Sequence, residues 1–319
     1  MSVTGRALAT TLVLCGLGAA ACGGTAGADL ARDRGPVPAA GTQSGANPGR
    51  EAGTGTGTDR EPVTGASSTG GADAPSREGA AGTASDPASS ASPVSGSGRA
   101  GPLTGKVVVV DPGHNGQNYR HPAEVNKKVN VLTQWKACDT TGTATANGYS
   151  EAAFTWDVSQ RLAAILKSRG ATVKLTRDGN SGVGPCITQR AAIGNRARAD
   201  AAISVHADGS GTANHGFHVI MPEKIGGPVD PVVGASKKLG LTVRDAFRSG
   251  TGLSYSTYIG RQALDYRNDL GGLNLSTVPK IFIECGNMKN PAEAAKFQRA
   301  AFRQRIALSL ANGLQAYLR

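Results

Sequence analysis

Four valines in succession, Val107 to Val110, run directly into Asp111-Pro112-Gly113. A β-branched run with no polar alternation reads as a strand buried on both faces, and the Pro-Gly pair ends it in a turn. The pattern continues downstream. Ser150-Glu151 opens a helix in which Phe154, Val158, Leu162, Ile165 and Leu166 recur at helical spacing until Gly170 stops it. Strands are expected at 171–176, 201–205, 216–221 and 280–285, and helices at 187–199, 232–247 and 291–318, the last with Pro291 in its first turn. Strands alternating with helices predict an α/β fold: a mostly parallel twisted sheet with helices on both faces and an active site at the carboxyl ends of the strands.

That domain occupies 102–319. Residues 1–21 carry Arg6, an apolar run from Ala7 to Ala21, and small residues leading directly to Cys22. This is the pattern of a lipoprotein signal peptide with lipidation at Cys22, preferred over a simple secretory signal, and the run is too short and Gly-interrupted for a membrane span. From 22 to 101 the chain is Gly, Ala, Ser, Thr and Pro with almost no large apolar side chains to offset the entropy of ordering. The expectation is a disordered tether with an r.m.s. reach of roughly 50 Å. The protein is then exported and held by its lipid at the outer face of the cytoplasmic membrane, within the cell wall.

The net charge is +11, and the excess of Lys and Arg falls in the domain, which suits a polyanionic partner. Export argues against nucleic acid and leaves either cell-wall polymers as the anionic partner or a generally basic, soluble surface. Of the five cysteines, Cys15 and Cys22 lie in the signal. Cys138 and Cys186 sit in Gly- and Thr-rich loops where an oxidising exterior favours a disulfide, whereas Cys285, inside an apolar strand, reads as a buried free thiol. No cysteines stand at the short spacings of a structural zinc site.

Four residues stand out chemically: His114 in VVVDPGHNG, Glu151 at the start of the first helix, His206 in ISVHADG and Glu284 in IFIECGNMKN. Two imidazoles and a carboxylate are a common catalytic zinc set with one position open for water, and an unligated glutamate beside the metal can move the proton. Individually each has a plainer explanation, a strand-end hydrogen bond for the histidines or a dipole-favoured first-turn position for Glu151. Glu284 is harder to dismiss, because an ionised carboxylate after Ile281, Phe282 and Ile283 is costly without a partner or a task.

In VVVDPGHNG, YSEAAF, LTRDG, the stretch RAAIGNRARADAAISVHADG from Arg190, and IFIECGNMKN, the sequence resembles the zinc-dependent N-acetylmuramoyl-L-alanine amidases of the amidase_3 type. The resemblance covers nearly the whole domain. It is nearest to short actinobacterial, mycobacterial-type peptidoglycan amidases, through the CDTTGT loop, the segment from Asp269 to Asn274 and the GNMKN turn. It implies that His114, Glu151 and His206 ligate one Zn2+ and that Glu284 is the catalytic acid/base. It further implies a peptidoglycan substrate, cleaved between N-acetylmuramic acid and the first L-alanine of the stem peptide, and it supports the Cys138–Cys186 pairing. Many relatives carry wall-binding repeats or a second domain; none is recognisable here, and a monomer is expected.

Arg177, Arg190 and Arg267 are candidates for holding substrate carboxylates, or else ion pairs, with Arg267 preferred. Asn274 reads as a turn residue or a substrate contact. His215 and His218 are expected to line or flank a strand facing the cleft, and His121 to be solvated. Two other functions compete: a zinc peptidase or deacetylase acting on another wall amide, and a non-catalytic wall-binding lipoprotein that keeps the fold alone.

Overall fold

The computed structural model describes residues 101–319. The signal, Cys22 and all of the tether except Gly101 lie outside the described residues. The strands, in chain order, are β1 (Val107–Pro112), β2 (Lys128–Asn130), β3 (Trp135–Ala137), β4 (Thr172–Leu175), β5 (Ala201–Asp208), β6 (His218–Pro222), β7 (Leu264–Arg267) and β8 (Lys280–Asn287). The helices are α1 (Pro122–Val125), α2 (Glu151–Ser168), α3 (Ile187–Arg196), α4 (Val233–Thr251), α5 (Gly271–Asn274), α6 (Pro291–Phe297) and α7 (Ala300–Leu318).

Six strands form one sheet in the order β4-β1-β5-β8-β6-β7. Every pairing in it is parallel except β6 with β8, so the mostly parallel sheet expected from the sequence is present. Alternate residues of each strand face opposite ways. On one side Val108, Val110, Ile203, Val205, Ile281, Ile283, Val219 and Met221 are buried in a single core with α2, α4 and α7. On the other, a small apolar cluster of Val109, Ala202, Ala199 and Val278 gives way to polar side chains towards the strand ends.

Several elements depart from the sequence-based expectation. The terminal helix is two helices: α6 begins at Asn290, whose Oδ1 accepts from the backbone N–H of Ala292 and of Glu293, both at 3.1 Å, and the chain turns at Gln298–Arg299 before α7. Strand β7 was hidden in a segment that reads as Gly-rich loop. The long connection after His114 contains the antiparallel β2–β3 pair, anchored to the segment after β7 by Lys136 Nζ to Asp269 at 2.9 Å and Thr133 Oγ1 to the Asn268 carbonyl at 2.7 Å. These are short, weakly patterned elements held by partners distant in sequence, which local periodicity does not register. Among the described residues no helix is long and apolar enough to cross a membrane.

Candidate active site

The turn after β1 places His114 at φ 58°, in the left-handed region that a histidine rarely adopts. Gly113 precedes it, and a Cβ there would stand 2.3 Å from the His206 ring, so only glycine lets β1 and the end of β5 approach this closely. Ser150 caps α2, its Oγ accepting from Ala153 N at 3.3 Å, and Glu151 in the first turn points inward. Its Oε1 lies 3.2 Å from His114 Nε2 and 3.0 Å from His206 Nδ1. One donor atom from each of His114, Glu151 and His206 falls within 4.8 Å of the others. The first-turn and strand-end readings describe where these residues sit, but not where they point.

The surroundings fix the three side chains. Glu151 Oε2 accepts from the Thr143 N–H at 2.9 Å, and Oε1 also accepts from Ala207 N–H at 3.2 Å. His114 Nδ1 lies 3.0 Å from the Thr140 carbonyl, which can only accept, so Nδ1 carries a proton and Nε2 is the nitrogen turned to the cluster. Asp139 Oδ1 stands 3.4 Å behind the same nitrogen. Burial alone would push the Glu151 carboxyl up, but His114 and then His206 hold it far below the usual range. Burial works against the His114 cation, yet Glu151 and then Asp139 raise its pKa well above the ordinary imidazole value.

Asp139 and Thr140 belong to the CDTTGT loop, whose part in supporting His114 composition and spacing did not reveal. The signal was there in Gly142, which has φ +72° and no room for a side chain, because a Cβ would meet His114 Cδ2 at 2.7 Å and Glu151 Oε2 at 2.9 Å. The loop is pinned by the Cys138–Cys186 disulfide, with Cα atoms 4.7 Å apart, and by Ile187 N–H donating to the Cys138 carbonyl at 2.9 Å. Cys285 is free and buried.

Glu284 follows on β8, beside His206 in the parallel register and opposite His218 in the antiparallel one. Its Oε2 is buried without a partner. Burial first, then the charges of Asp208 and Glu151, push its carboxyl well above the ordinary value, against the smaller pull of His114 and Arg267. His218 is buried at 1% exposure, its ring edge-on to Tyr258, and burial with Arg267 nearby lowers its pKa to about 4. Tyr258 donates to Asp208 Oδ2 at 3.0 Å. His215 and His121 are exposed, the latter against Glu124.

Two of the arginine candidates are corrected. Arg190 is 4% exposed and spends its guanidinium on Asp111, Asn115 and the carbonyls of Pro112, Pro185 and His114. Arg177 is 5% exposed, donates to the carbonyls of Pro112, Gly113, Ala152 and Gly179, and lies over the Trp156 ring. Neither has a face for substrate: both brace the His114 turn, and an arginine in a sequence does not disclose whether its partners are inside or outside the protein. Arg267 keeps 34% of its side chain exposed, on the same face of the sheet as Glu284, and is paired with Asp269 through Nε at 2.7 Å and Nη2 at 2.6 Å. Asn274 is fully buried, its Nδ2 donating to the Val131 and Asn268 carbonyls at 2.8 and 2.7 Å. Those bonds favour the turn reading over a substrate contact.

The profile of the Amidase_3 family, described as N-acetylmuramoyl-L-alanine amidase, matches residues 108–316. The chain belongs to this amidase family. The amidase is 38% identical over 218 residues to an N-acetylmuramoyl-L-alanine amidase of Mycobacterium tuberculosis, the match covering 68% of this chain and 88% of that protein. Among solved structures it is similar to Ami1 from Mycobacterium smegmatis, with 36% identity, a TM-score of 0.64, and coverage of 68% of this chain and 98% of that one. Ami1 from Mycobacterium abscessus, in its apo form, matches at 39% identity and a TM-score of 0.64, with 68% and 100% covered. The amidase is a hydrolase of peptidoglycan, cleaving the N-acetylmuramoyl-L-alanine amide, and the cell wall is where its substrate lies.

Proposed function

We propose that the amidase is zinc-dependent, with His114 Nε2, His206 Nδ1 and a Glu151 carboxylate oxygen as its protein ligands and Glu284 as its general acid/base. The observation that carries the reading is the convergence of those three donor atoms from three separate segments. Two imidazoles and one carboxylate suit zinc, and the Nδ1–H of His114 is already committed to Thr140, leaving the opposite nitrogen free to bind a metal. A zinc ion, when bound, acidifies water and withdraws charge from a carbonyl oxygen.

The chain's own groups supply the remainder. Glu284, with its raised carboxyl and its place beside His206, takes the proton of the attacking water and delivers it to the alanine nitrogen as the amide breaks. The products are a muramic lactyl carboxylate and a stem peptide with a new amino terminus. Arg267, partly exposed and electrostatically coupled to Glu284, offers its remaining donors to a carboxylate of the stem. Upstream, the proposal places a lipid on Cys22 and a tethered, monomeric domain that searches the wall; Cys22→Ala then shifts the protein from the membrane fraction to the soluble one.

Mass spectrometry of purified muropeptides, digested with the metal-stripped protein and with zinc restored, tests the core of this reading. Stem peptides beginning at L-alanine are expected only with zinc. Full activity after complete metal removal would sink the zinc assignment, and release of acetate or an internal peptide cut would support the competing deacetylase or peptidase.

A further inference from the structure

Among the described residues six buried side-chain polar atoms lack a hydrogen-bond partner, and three of them, Glu284 Oε2, His218 Nδ1 and Asp265 Oδ2, lie on the polar face of β8, β6 and β7. The register establishes the shared face: His218 is opposite Glu284, and Ile220, two residues on, is beside Asp265. Glu284 has a role in the reaction. Asp265 has none so far, although an unpaired carboxylate oxygen out of solvent is costly and calls for a donor.

The cations beside it are already committed. Arg267 is two residues along β7 and therefore on the same face, yet it gives Nε and Nη2 to Asp269, and Lys136 Nζ goes to Asp269 as well. Burial, opposed by the charge of Arg267, raises the Asp265 carboxyl, and Asp269 and Glu223 add to the rise. His218 brings no charge to the strip, since burial keeps its imidazole neutral near pH 7. Arg267, for its part, feels the charges of Asp269, Asp265 and Glu284, and its Nη1 makes no hydrogen bond among the described residues. An acceptor lacking a cation and a cation with a spare donor are therefore adjacent on the polar face of β7.

We infer that Asp265 and Arg267 form a subsite for a zwitterionic residue of the stem peptide, Asp265 taking its ammonium and Arg267 Nη1 its carboxylate. The spacing indicates which residue. Asp265 is two strands across and two residues along from Glu284, about 12 Å at ~4.8 Å per strand and ~3.3 Å per residue, and an extended peptide covers that distance in about three to four residues. Of the third and fourth residues from the scissile amide, the third is the diamino acid, the one with a side-chain ammonium to offer Asp265, and the subsite distinguishes a diamino acid with a free carboxylate from one without. The inference rests on Glu284 marking the scissile bond.

Steady-state kinetics of the zinc-loaded full chain on matched muropeptides test it. One substrate keeps the side-chain amino group of the third residue free, a second has it N-acetylated, and a third has the adjacent carboxylate amidated. Wild type is expected to lose about tenfold in kcat/KM on acetylation, mainly through KM because the group is remote from the chemistry. Asp265→Asn should cleave free and acetylated substrates within twofold of each other while still discriminating against the amidated one, and Arg267→Met should lose that second discrimination. Equal cleavage of the free and acetylated substrates by wild type would overturn the subsite. So would a fall of equal size on both substrates in Asp265→Asn, which indicates a structural carboxylate. Because the first ratio is read on wild type, it needs no variant to fold and does not depend on which residue moves the proton. Undiminished turnover by Glu284→Gln would remove the acid/base assignment and leave the ratio standing.

Discussion

The two faces of the central sheet are built from the same strands and obey different rules. One face is a continuous layer of Val, Ile, Ala and Met under α2, α4 and α7. The other carries Asp111, Ser204, His206, Lys280 and Glu284 on β1, β5 and β8, alternating along each strand with residues of the apolar layer. Apolar packing is non-directional and requires only that volume be filled. A buried polar group instead needs named partners at hydrogen-bond distance. Asp111 has four: Arg190 Nη1 at 2.8 Å, Lys280 Nζ at 3.0 Å, Ser204 Oγ at 2.6 Å and Thr176 Oγ1 at 2.6 Å. The polar face is therefore itself in two storeys, a satisfied lower one that holds the His114 turn and an upper one in which Glu284, His218 and Asp265 keep unpaired polar atoms.

Removing a partner from the satisfied storey should have the largest effect. Arg190→Met leaves Asp111 with one cation fewer and frees the carbonyls of Pro112 and His114, and loss of about 3–5 kcal/mol of stability is expected, the scale for breaking a buried ion pair. Chemical denaturation measures it. A variant of full stability with only a raised KM would return Arg190 to the substrate-binding role that its sequence context suggested.

On the apolar face, Ile203→Ala removes a fully buried side chain from the core and should cost about 2–5 kcal/mol. Metal content and turnover per folded molecule should be unchanged, and a selective loss of either would mean that the two faces are not separable. The upper storey should show the converse. Glu284→Gln is expected to lower kcat by about a hundredfold or more while the denaturation midpoint and zinc occupancy stay near wild type. Glu151→Gln should instead lose metal affinity first, so that added zinc rescues part of its activity. Zinc loss from the first variant and retention in the second would exchange their roles.

The smallest effect is in acid. Burial opposes the Asp111 charge, but Lys280, Arg190, Ser204 and Thr176 together hold its carboxyl well below the ordinary value. Its folded pKa is depressed, so its contribution is fully present above the unfolded carboxylate pKa of about 4 and is lost as pH falls below that. Denaturation midpoints of wild type should drop through this window more steeply than those of Asp111→Asn, whereas Ile203→Ala should keep the wild-type slope. Parallel slopes for wild type and Asp111→Asn would mean that the aspartate is not charged in the fold.

Much of this architecture is legible in the sequence because it is written in local periodicity. The valine run of β1, the helical spacing of α2 and the apolar strand of β8 each carry their burial in consecutive residues. The lower storey is illegible for the opposite reason. Asp111, Thr176, Arg190, Ser204 and Lys280 meet across up to 169 positions of chain, and no short window contains two of them as a pattern. The same holds for Asp139 behind His114, for β7, and for the β2–β3 pair.

Residue type, spacing and family motif by themselves determined that this chain folds as an α/β amidase domain, and they singled out His114, Glu151, His206 and Glu284 as the candidate chemical groups. Only the tertiary structure decided which arginines are buried struts and which one stays partly exposed. It also decided that the CDTTGT loop supports His114, and that Asp265 stands beside Arg267 with an unpaired oxygen. A side chain's type states what it can donate or accept. Whether that valence is already filled depends on partners brought together by the sheet register, and only folding sets that.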